Sequence, residues 1–413
     1  MFTFINLIEI YFFCTFILKK MNKRVVVGLS GGVDSSVTAY LLKQEGYEVI
    51  GMFMRNWHDE TVTLSDDCPW IDDSNDALLI ANQLNIPFQI IDLSKEYKER
   101  IVDYMFNEYK QGRTPNPDVL CNREIKFDVF LKAAEDIGAS YIATGHYCRK
   151  TTNDDGSYSL LSGLDKNKDQ SYFLCQLNQE QLSKALFPIG ALQKSEVRKI
   201  AEENNLITAN KKDSQGLCFV GKISLPTFLQ QKLKSIKGNV IEIPETNPQI
   251  KDYHLHNFEF KNIEALTTPF KFNENDGIKV ADHIGAHFYT IGQRKGLHIG
   301  GRPLPSFVIS IDTETNTVYT CQGENHLGLN RIALKVKASE FHIINQLHFD
   351  ECTTPIEMSV RIRYRQPLQK AKIIRKDSYY YFLFDKLQKG ITPGQFIACY
   401  KEEELVASGV IMN

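Results

Sequence analysis

The chain of 413 residues lacks a dominant charge: 48 Lys and Arg stand against 50 Asp and Glu, for a net charge of −2. Bulk electrostatics therefore do not mark it as a nucleic-acid binder, although a local basic stripe is enough to make one. It also lacks clustered cysteines. Nine are present, at 14, 68, 121, 148, 175, 218, 321, 352 and 399, and no two lie closer than 27 residues. That spacing excludes a CxxC zinc knuckle and a dense disulfide framework. It points to a reducing cytoplasm, where most thiols pack as small hydrophobes. No internal repeat and no low-complexity tract is present, and 43% apolar with 24% charged residues excludes a disordered or collagen-like chain. At roughly 150 residues per domain the length excludes a single core and predicts two or three.

One long apolar run exists, Met1 to Leu18, broken by Glu9 and closed by Lys19 and Lys20. It has neither the basic start nor the small-residue cleavage site of a secretory signal. A spanning helix needs about 20 apolar residues, so the run is marginal as an anchor, and no membrane association is expected. Met21, followed by Lys23-Arg24 and a buried-type strand, reads as the start of an ordinary cytosolic chain. Residues 1–20 then read as a non-native or unstructured extension.

From Arg24 the chain alternates strands with helices. Val25 to Leu29 is a short continuous apolar run, the mark of a strand covered on both faces. Helical spacing follows through Val37, Tyr40, Leu41 and Leu42. Further strands are expected at Glu48–Met54, Phe88–Leu93 and Tyr141–Thr144, with helices at 75–85 and 125–137. This alternation predicts an α/β domain over 21–221 with a doubly wound parallel sheet, whose ligands sit at the carboxyl ends of the strands. Beyond about Lys222 the helical period fades. Short alternating runs at Asn239–Ile243, His287–Ile291, Phe307–Ile311, Thr317–Thr320, Ile356–Tyr364, Ala371–Arg375 and Tyr379–Phe384 suggest a β-barrel or sandwich. The chain divides into a small central domain at 222–302, with a polar, insertion-like stretch at 244–282, and a C-terminal β-barrel domain at 303–413.

Between the first strand and its helix lies Ser30-Gly31-Gly32-Val33-Asp34-Ser35-Ser36. Glycines let backbone N–H groups turn toward a phosphate, and the helix N-terminus adds partial positive charge. The serines offer hydroxyls, and Asp34 is suited to Mg²⁺. A plain strand-to-helix turn also uses Gly, Ser and Asp, but not so many together. No Gly-Lys-Ser/Thr closes the loop, so it is not a Walker A sequence. It resembles the SGGxDS loop of the PP-loop ATP pyrophosphatases, which split ATP to AMP and pyrophosphate while adenylating an oxygen.

Two cysteines stand out by their surroundings. Cys121 ends the Pro-stiffened stretch Thr114-Pro115-Asn116-Pro117-Asp118-Val119-Leu120 just before a helix, where the dipole favours a thiolate. Cys218 lies in Lys211-Lys212-Asp213-Ser214-Gln215-Gly216-Leu217-Cys218-Phe219, with two nearby lysines. Cys68, between acidic residues and Pro69, is the weaker candidate. The segments GLSGGVDSS (28–36), GMFMRNW (51–57), GRTPNPDVLCNREIKF (112–127), YIATGHY (141–147), GLDKNKDQSYFL (163–174), LFPIG (186–190), VRKIAEENNL (197–206), KKDSQGLCFVG (211–221), YTIGQRKGLHIGG (289–301), RYRQ (363–366) and TPGQ (392–395) closely resemble the bacterial tRNA-specific 2-thiouridylases. They run in order from residue 23 to the C-terminus.

The resemblance implies an adenine-nucleotide-α-hydrolase-like catalytic domain that binds ATP, with Mg²⁺, through Gly28, Leu29, Ser30, Gly31, Gly32, Val33, Asp34, Ser35, Met54 and Gly145. It implies that the C2 oxygen of the wobble uridine is adenylated and replaced by sulfur. Cys218 would carry that sulfur as a persulfide from a sulfur-relay donor protein. Cys121 would be the nucleophile that either releases sulfide from the persulfide or resolves the adduct, which requires the two Cα atoms within about 7 Å. Asp118 is a candidate general acid or base, or else a turn residue capping the next helix. Asn116, Pro117 and Asp118 would meet a flipped-out base. His146, Lys168, Asp169, Gln170, Arg363, Tyr364 and Gln395 would touch the tRNA, and the basic runs at 294–295, 361–365 and 370–376 would track its phosphates. No metal site is expected; His283 and His287 read as structural.

Three rivals follow from the same residues. An amide-forming PP-loop synthetase would need neither cysteine. A tRNA-binding protein with a degenerate nucleotide fold would have no use for an intact phosphate loop. A thiouridylase with an iron–sulfur cluster would use Cys121, Cys218 and Asp118 as ligands.

Overall fold

The first strand explains the first layer. In β1 (Arg24–Gly28) Val25, Val26 and Val27 have no exposed surface, and at roughly 1.5–3 kcal/mol per buried aliphatic side chain such a strand demands cover on both faces. In a computed structural model, which describes residues 23–56, 69–212, 225–346, 349 and 354–412, that cover exists. β2 (Glu48–Arg55), β3 (Phe88–Asp92), β4 (Tyr141–Ala143) and β7 (Ala185–Leu186) join β1 in a parallel sheet of order β3-β2-β1-β4-β7. The helices α1 (Val33–Gln44), α2 (Pro69–Gln83) and α3 (Lys194–Glu203) contribute Val37, Ile80, Ala81, Val197 and Ala201 to a core shared with Val25, Val27 and Leu29. The antiparallel hairpin of β5 (Cys148–Thr152) and β6 (Tyr158–Ser162) follows β4. The expected doubly wound parallel sheet is therefore present.

Two compact units divide the chain, one from Met1–Arg100 and Asp118–Lys222, the other from Ile101–Pro117 and Ile223–Asn413. The second unit holds two β structures. β8 (Gly238–Glu242), β9 (Ile278–His283), β10 (Ser306–Asp312) and β11 (Thr317–Gln322) form a sheet of order β10-β11-β8-β9. β12 (Asn330–Ile343), β13 (Ile356–Arg361), β14 (Gln369–Lys376), β15 (Tyr379–Lys389), β16 (Phe396–Lys401) and β17 (Glu404–Ile411) are antiparallel in the order β12-β15-β14-β13-β16-β17. Pairing of β12 with β17 closes them into a six-stranded barrel around Val336, Val360, Ile373, Phe382, Ile397 and Val406. Closure removes the exposed strand edges that an open sheet would leave.

Several details depart from the sequence-based expectation. β10 and β11, assigned there to the C-terminal domain from 303, belong to the central sheet, where β11 pairs with β8 and β10 with β11. The stretch 244–282 is not featureless: it contains helices Pro248–Leu255 and Ile263–Thr267 and ends in β9, which pairs with β8. His287–Ile291 is not a strand but a short 3-10 turn, Ala286–Phe288, followed by loop. Gly285 at φ 146° and Gly292 at φ 84° turn the backbone at its two ends, and the consecutive rings of Phe288 and Tyr289 are both buried, as loop packing allows and a two-faced strand does not. The helix expected from 125 begins earlier. Pro117 opens a helical run that continues to Asp136, because Pro gives up only an N–H that a helix start leaves unpaired. The 1–20 extension and Cys14, Cys68, Cys218 and Cys352 lie outside the described residues. No helix among the described residues is long and apolar enough to cross a membrane.

Candidate active site

β1 is flanked by β2 on one side and β4 on the other, so the strand order reverses there and a crevice opens at the carboxyl ends. Leu29 extends the ladder by one bond, its N–H donating to the Met52 carbonyl at 2.9 Å. Ser30-Gly31-Gly32 then turns into α1. Gly31 sits at φ 72°, and a Cβ there would lie 2.3 Å from the carbonyl oxygen of Asp73 in α2, so only Gly fits. Gly28 passes within contact of Met54: a Cβ on it would be 3.3 Å from the Met54 methyl. Gly145, just past β4, packs on the start of α1, where a Cβ would lie 2.9 Å from the backbone of Asp34 and Ser35. The absent Cβ atoms let these segments pack closely around the start of α1, and the glycine-rich turn that results has the form of a phosphate cradle. Gly32 caps α1 without a side-chain hydrogen bond to the first-turn amides.

Hydroxyls stiffen the cradle. The Ser30 N–H donates to Ser35 Oγ at 3.2 Å, and the Ser35 and Ser36 hydroxyls donate to the Gly32 carbonyl at 3.1 and 2.8 Å. Thr208 Oγ1 in turn donates to Ser36 Oγ at 2.9 Å. The ten residues read as an ATP site, Gly28 to Ser35 with Met54 and Gly145, are thereby brought to one end of the sheet. A glycine-rich turn at a helix start suits a phosphate group, and the Asp34 carboxylate is a suitable oxygen ligand for Mg²⁺.

Two residues that sequence reasoning missed also reach this place. Lys194, the first residue of α3, puts Nζ 2.7 and 2.8 Å from the two Asp34 carboxylate oxygens. The Tyr147 hydroxyl donates to Asp34 Oδ1 at 2.7 Å. Asp165 places α3 by accepting the Lys194 backbone N–H at 3.0 Å. Tyr147 closes the quoted stretch 141–147, and Lys194 precedes 197–206 by three residues, but no local pattern joins either to the loop. Nearby, Lys211 pairs with Asp73 and Asp76 of α2.

Cys121 is 1% exposed and opens a π-helical stretch, Cys121–Val129, one turn inside the helical run. It is therefore not at the helix N-terminus that was expected to favour its thiolate, although π-helical segments recur at functional sites. Asp118, in the first turn, stands nearer that terminus. Asn122 is buried, donating Nδ2 to the Phe173 carbonyl at 3.1 Å. Cys218 lies outside the described residues, so the structure does not bring the two thiols together or keep them apart.

The residues read as tRNA contacts fall into two groups. In the first unit Asp169 is 7% exposed and accepts the Gly163 and Ser171 N–H groups at 3.0 and 3.1 Å. Gln170 pairs in both directions with the Tyr147 backbone. Both brace a loop that presents Lys168. His146 is buried, with Nδ1 2.7 Å from Thr144 Oγ1 and its ring against Phe127 and Phe187. Burial, and secondarily the Lys126 charge, hold its pKa well below the usual 6.5, so it is neutral at physiological pH.

In the second unit Gln395 ties the Pro-rich loop to the barrel. Its Nε2 donates to the Thr114 and Pro115 carbonyls at 2.9 and 3.0 Å, and its Oε1 accepts from Asn116 Nδ2 at 3.3 Å. Pro117 begins the following helix. Arg363 is exposed and donates to the Gly390 carbonyl at 2.6 Å, with Tyr364 half-buried beside it. Arg361 is 8% exposed and packs on Tyr400, so within the basic run 361–365 it is a core residue rather than a phosphate contact. His283 is buried and accepts the Gly285 N–H at Nδ1. Among the described residues no three His, Cys, Asp or Glu side chains are grouped to hold a metal.

Comparison with known families agrees with this architecture. Residues 23–222 match the family described as tRNA methyl transferase HUP domain, 268–322 the tRNA methyl transferase PRC-barrel domain, and 333–411 the aminomethyltransferase beta-barrel domain. The tRNA-specific 2-thiouridylase MnmA of Christiangramia forsetii is 59% identical over 394 residues, covering 94% of this chain and 100% of the relative. The proteins of the same name from Flavobacterium johnsoniae and Karelsulcia muelleri are 58% and 47% identical, each over 94% of this chain and at least 99% of their own. Identity at that level, sustained from the phosphate-loop domain through the barrel, places the chain in the family of tRNA-specific 2-thiouridylases.

Proposed function

We propose that the protein is a cytoplasmic, ATP-dependent tRNA-uridine 2-sulfurtransferase that converts the wobble uridine of tRNA to 2-thiouridine. The observation that carries this reading is the identity of 59%, over 94% of this chain, with a relative bearing that activity in its name. The geometry supports it at the point of chemistry. A carbonyl oxygen is a poor leaving group, and adenylation makes it a good one. The cradle at Ser30–Ser35, with Gly28, Met54 and Gly145 around it, is suited to hold ATP for that step, and Asp34 to hold Mg²⁺, which would offset phosphate charge.

In this reading the uridine O2 bonds to the α-phosphorus and pyrophosphate leaves with the electron pair of the broken bond. Cys218 brings sulfur as a persulfide from a sulfur-relay donor protein. Cys121 either attacks that persulfide to free sulfide or cleaves the adduct after the sulfur has joined C2. AMP leaves with the former O2. Both routes end with a Cys121–Cys218 disulfide, which a thiol reductant must reopen. Asp118 serves as general acid or base. Asn116 and Pro117 meet the extruded base, and His146, Lys168, Asp169, Gln170, Arg363, Tyr364 and Gln395 form or brace the tRNA surface.

Methyl transfer, the chemistry named in the family descriptions, requires neither a phosphate cradle nor two thiols. Nucleoside mass spectrometry separates the readings. With Mg-ATP and a persulfide donor, wild type should form 2-thiouridine, and Cys121→Ser and Cys218→Ser should form none. Product from either variant would refute the two-thiol mechanism, and a methylated nucleoside in place of 2-thiouridine would refute the function.

A further inference from the structure

Lys194 brings a cation to the phosphate loop from 160 residues away. A carboxylate in the first turn of a helix, as Asp34 is in α1, is already favoured by the helix dipole. Yet the ammonium is held with care. The Lys194 side chain is 12% exposed, against 31% for Asp34. Its backbone N–H is fixed by Asp165 Oδ2, while Asp165 Oδ1 accepts from Asn167. Nζ lies 5.7 Å from the centre of the Tyr147 ring, whose hydroxyl holds the same carboxylate. The chain therefore builds a positioned, largely desolvated ammonium at the mouth of a backbone cradle.

We propose that Lys194 is a phosphate-binding residue of this site, exchanging Asp34 for the β- and γ-phosphates when the nucleotide enters. The inference rests on the reading that the cradle binds ATP. Asp34 becomes available to Mg²⁺ by the same exchange. As the uridine O2 bonds to the α-phosphorus, the bond to the bridging oxygen breaks and its electron pair leaves on pyrophosphate. Lys194 keeps its proton throughout and balances that growing charge, a stabilisation that is strong where water is excluded.

Calorimetric titration of ATP and of AMP, both with Mg²⁺, into full-length wild type, Lys194→Gln, Lys194→Arg and Tyr147→Phe tests this without tRNA or turnover. Lys194→Gln should weaken ATP about ten- to a hundredfold, the size of a lost charged hydrogen bond, and leave AMP within about twofold because AMP lacks the β- and γ-phosphates. Lys194→Arg should recover part of the loss. Equal weakening of ATP and AMP, or no change in either, overturns the proposal. So does Tyr147→Phe shifting the ATP-to-AMP ratio as far as Lys194→Gln, since the effect would then run through Asp34. Lack of ATP binding by wild type would instead defeat the ATP reading itself, a separate failure. Melting temperatures of the ligand-free variants exclude misfolding as the source of any loss.

Discussion

At Gly31 the backbone conformation and the Asp73 carbonyl act together. A left-handed φ costs a side chain about 1–2 kcal/mol, and here the added methyl would also strike a main-chain atom that cannot rotate away. Gly31→Ala should therefore displace the loop and abolish ATP binding in the same titration while the sheet survives by circular dichroism; unchanged affinity would mean that the loop tolerates the shift. Cysteine chemistry divides the same way, by surroundings. Burial, with the Asp169 charge adding to it, pushes the Cys148 thiol well above its ordinary value, and burial pushes Cys321 up to about 12. Both should resist alkylation by iodoacetamide in the native protein at mildly alkaline pH and react only after unfolding. Peptide mass spectrometry reads this directly, and native labelling of either would contradict it.

At the scale of elements, local pattern was a good guide wherever one face or both faces of a strand are buried. β1 and β2 lie where their apolar runs put them, as do β14 and β15. Pattern failed where a ring-rich loop imitated alternation, at His287–Ile291, and where a polar edge strand concealed it, at β9. Barrel closure is the clearest case of an element decided by contacts far apart in sequence. Where β12 meets β17, Gly409 leaves no room: a Cβ would lie 2.4 Å from Val336 Cγ1 and 3.0 Å from the Phe341 ring. Gly409→Val should overpack this seam and cost about 1–3 kcal/mol, seen as a lower denaturation midpoint. A midpoint equal to wild type would show that the seam can open without penalty.

For the whole molecule, the sign of the pH response follows from its buried and half-buried imidazoles. His146 in one unit and His283, His287 and His326 in the other all have pKa values lowered from 6.5, in each case chiefly by burial. Above the unfolded value both states are neutral and stability is unaffected. As the pH falls below about 6.5 the unfolded chain takes up protons that the folded chain refuses, so stability is lost toward each lowered pKa. Asp282, held down to about 2 by Lys237 and Lys279, responds only below the ordinary carboxylate range, so the loss between neutral and mildly acidic pH belongs to the histidines. Urea midpoints should fall across that interval, and His146→Gln should flatten the decline; a flat wild-type profile would contradict the buried neutral state.

The sequence by itself determined the parallel α/β domain, the β-rich remainder, the glycine-rich turn into α1 and the two cysteines that stand out by their neighbours. Each of these is written in contiguous residues: an apolar run, a period, a glycine pair before a helix, a thiol beside charged neighbours. Only the tertiary structure decided that Lys194 and Tyr147 join Asp34, that Asp169 and Gln170 brace a loop, that Arg361 is buried, and that β10 and β11 belong to the central sheet. Those facts depend on which distant segments pack together, and packing is set by shape and desolvation across the fold, which no local stretch of sequence encodes.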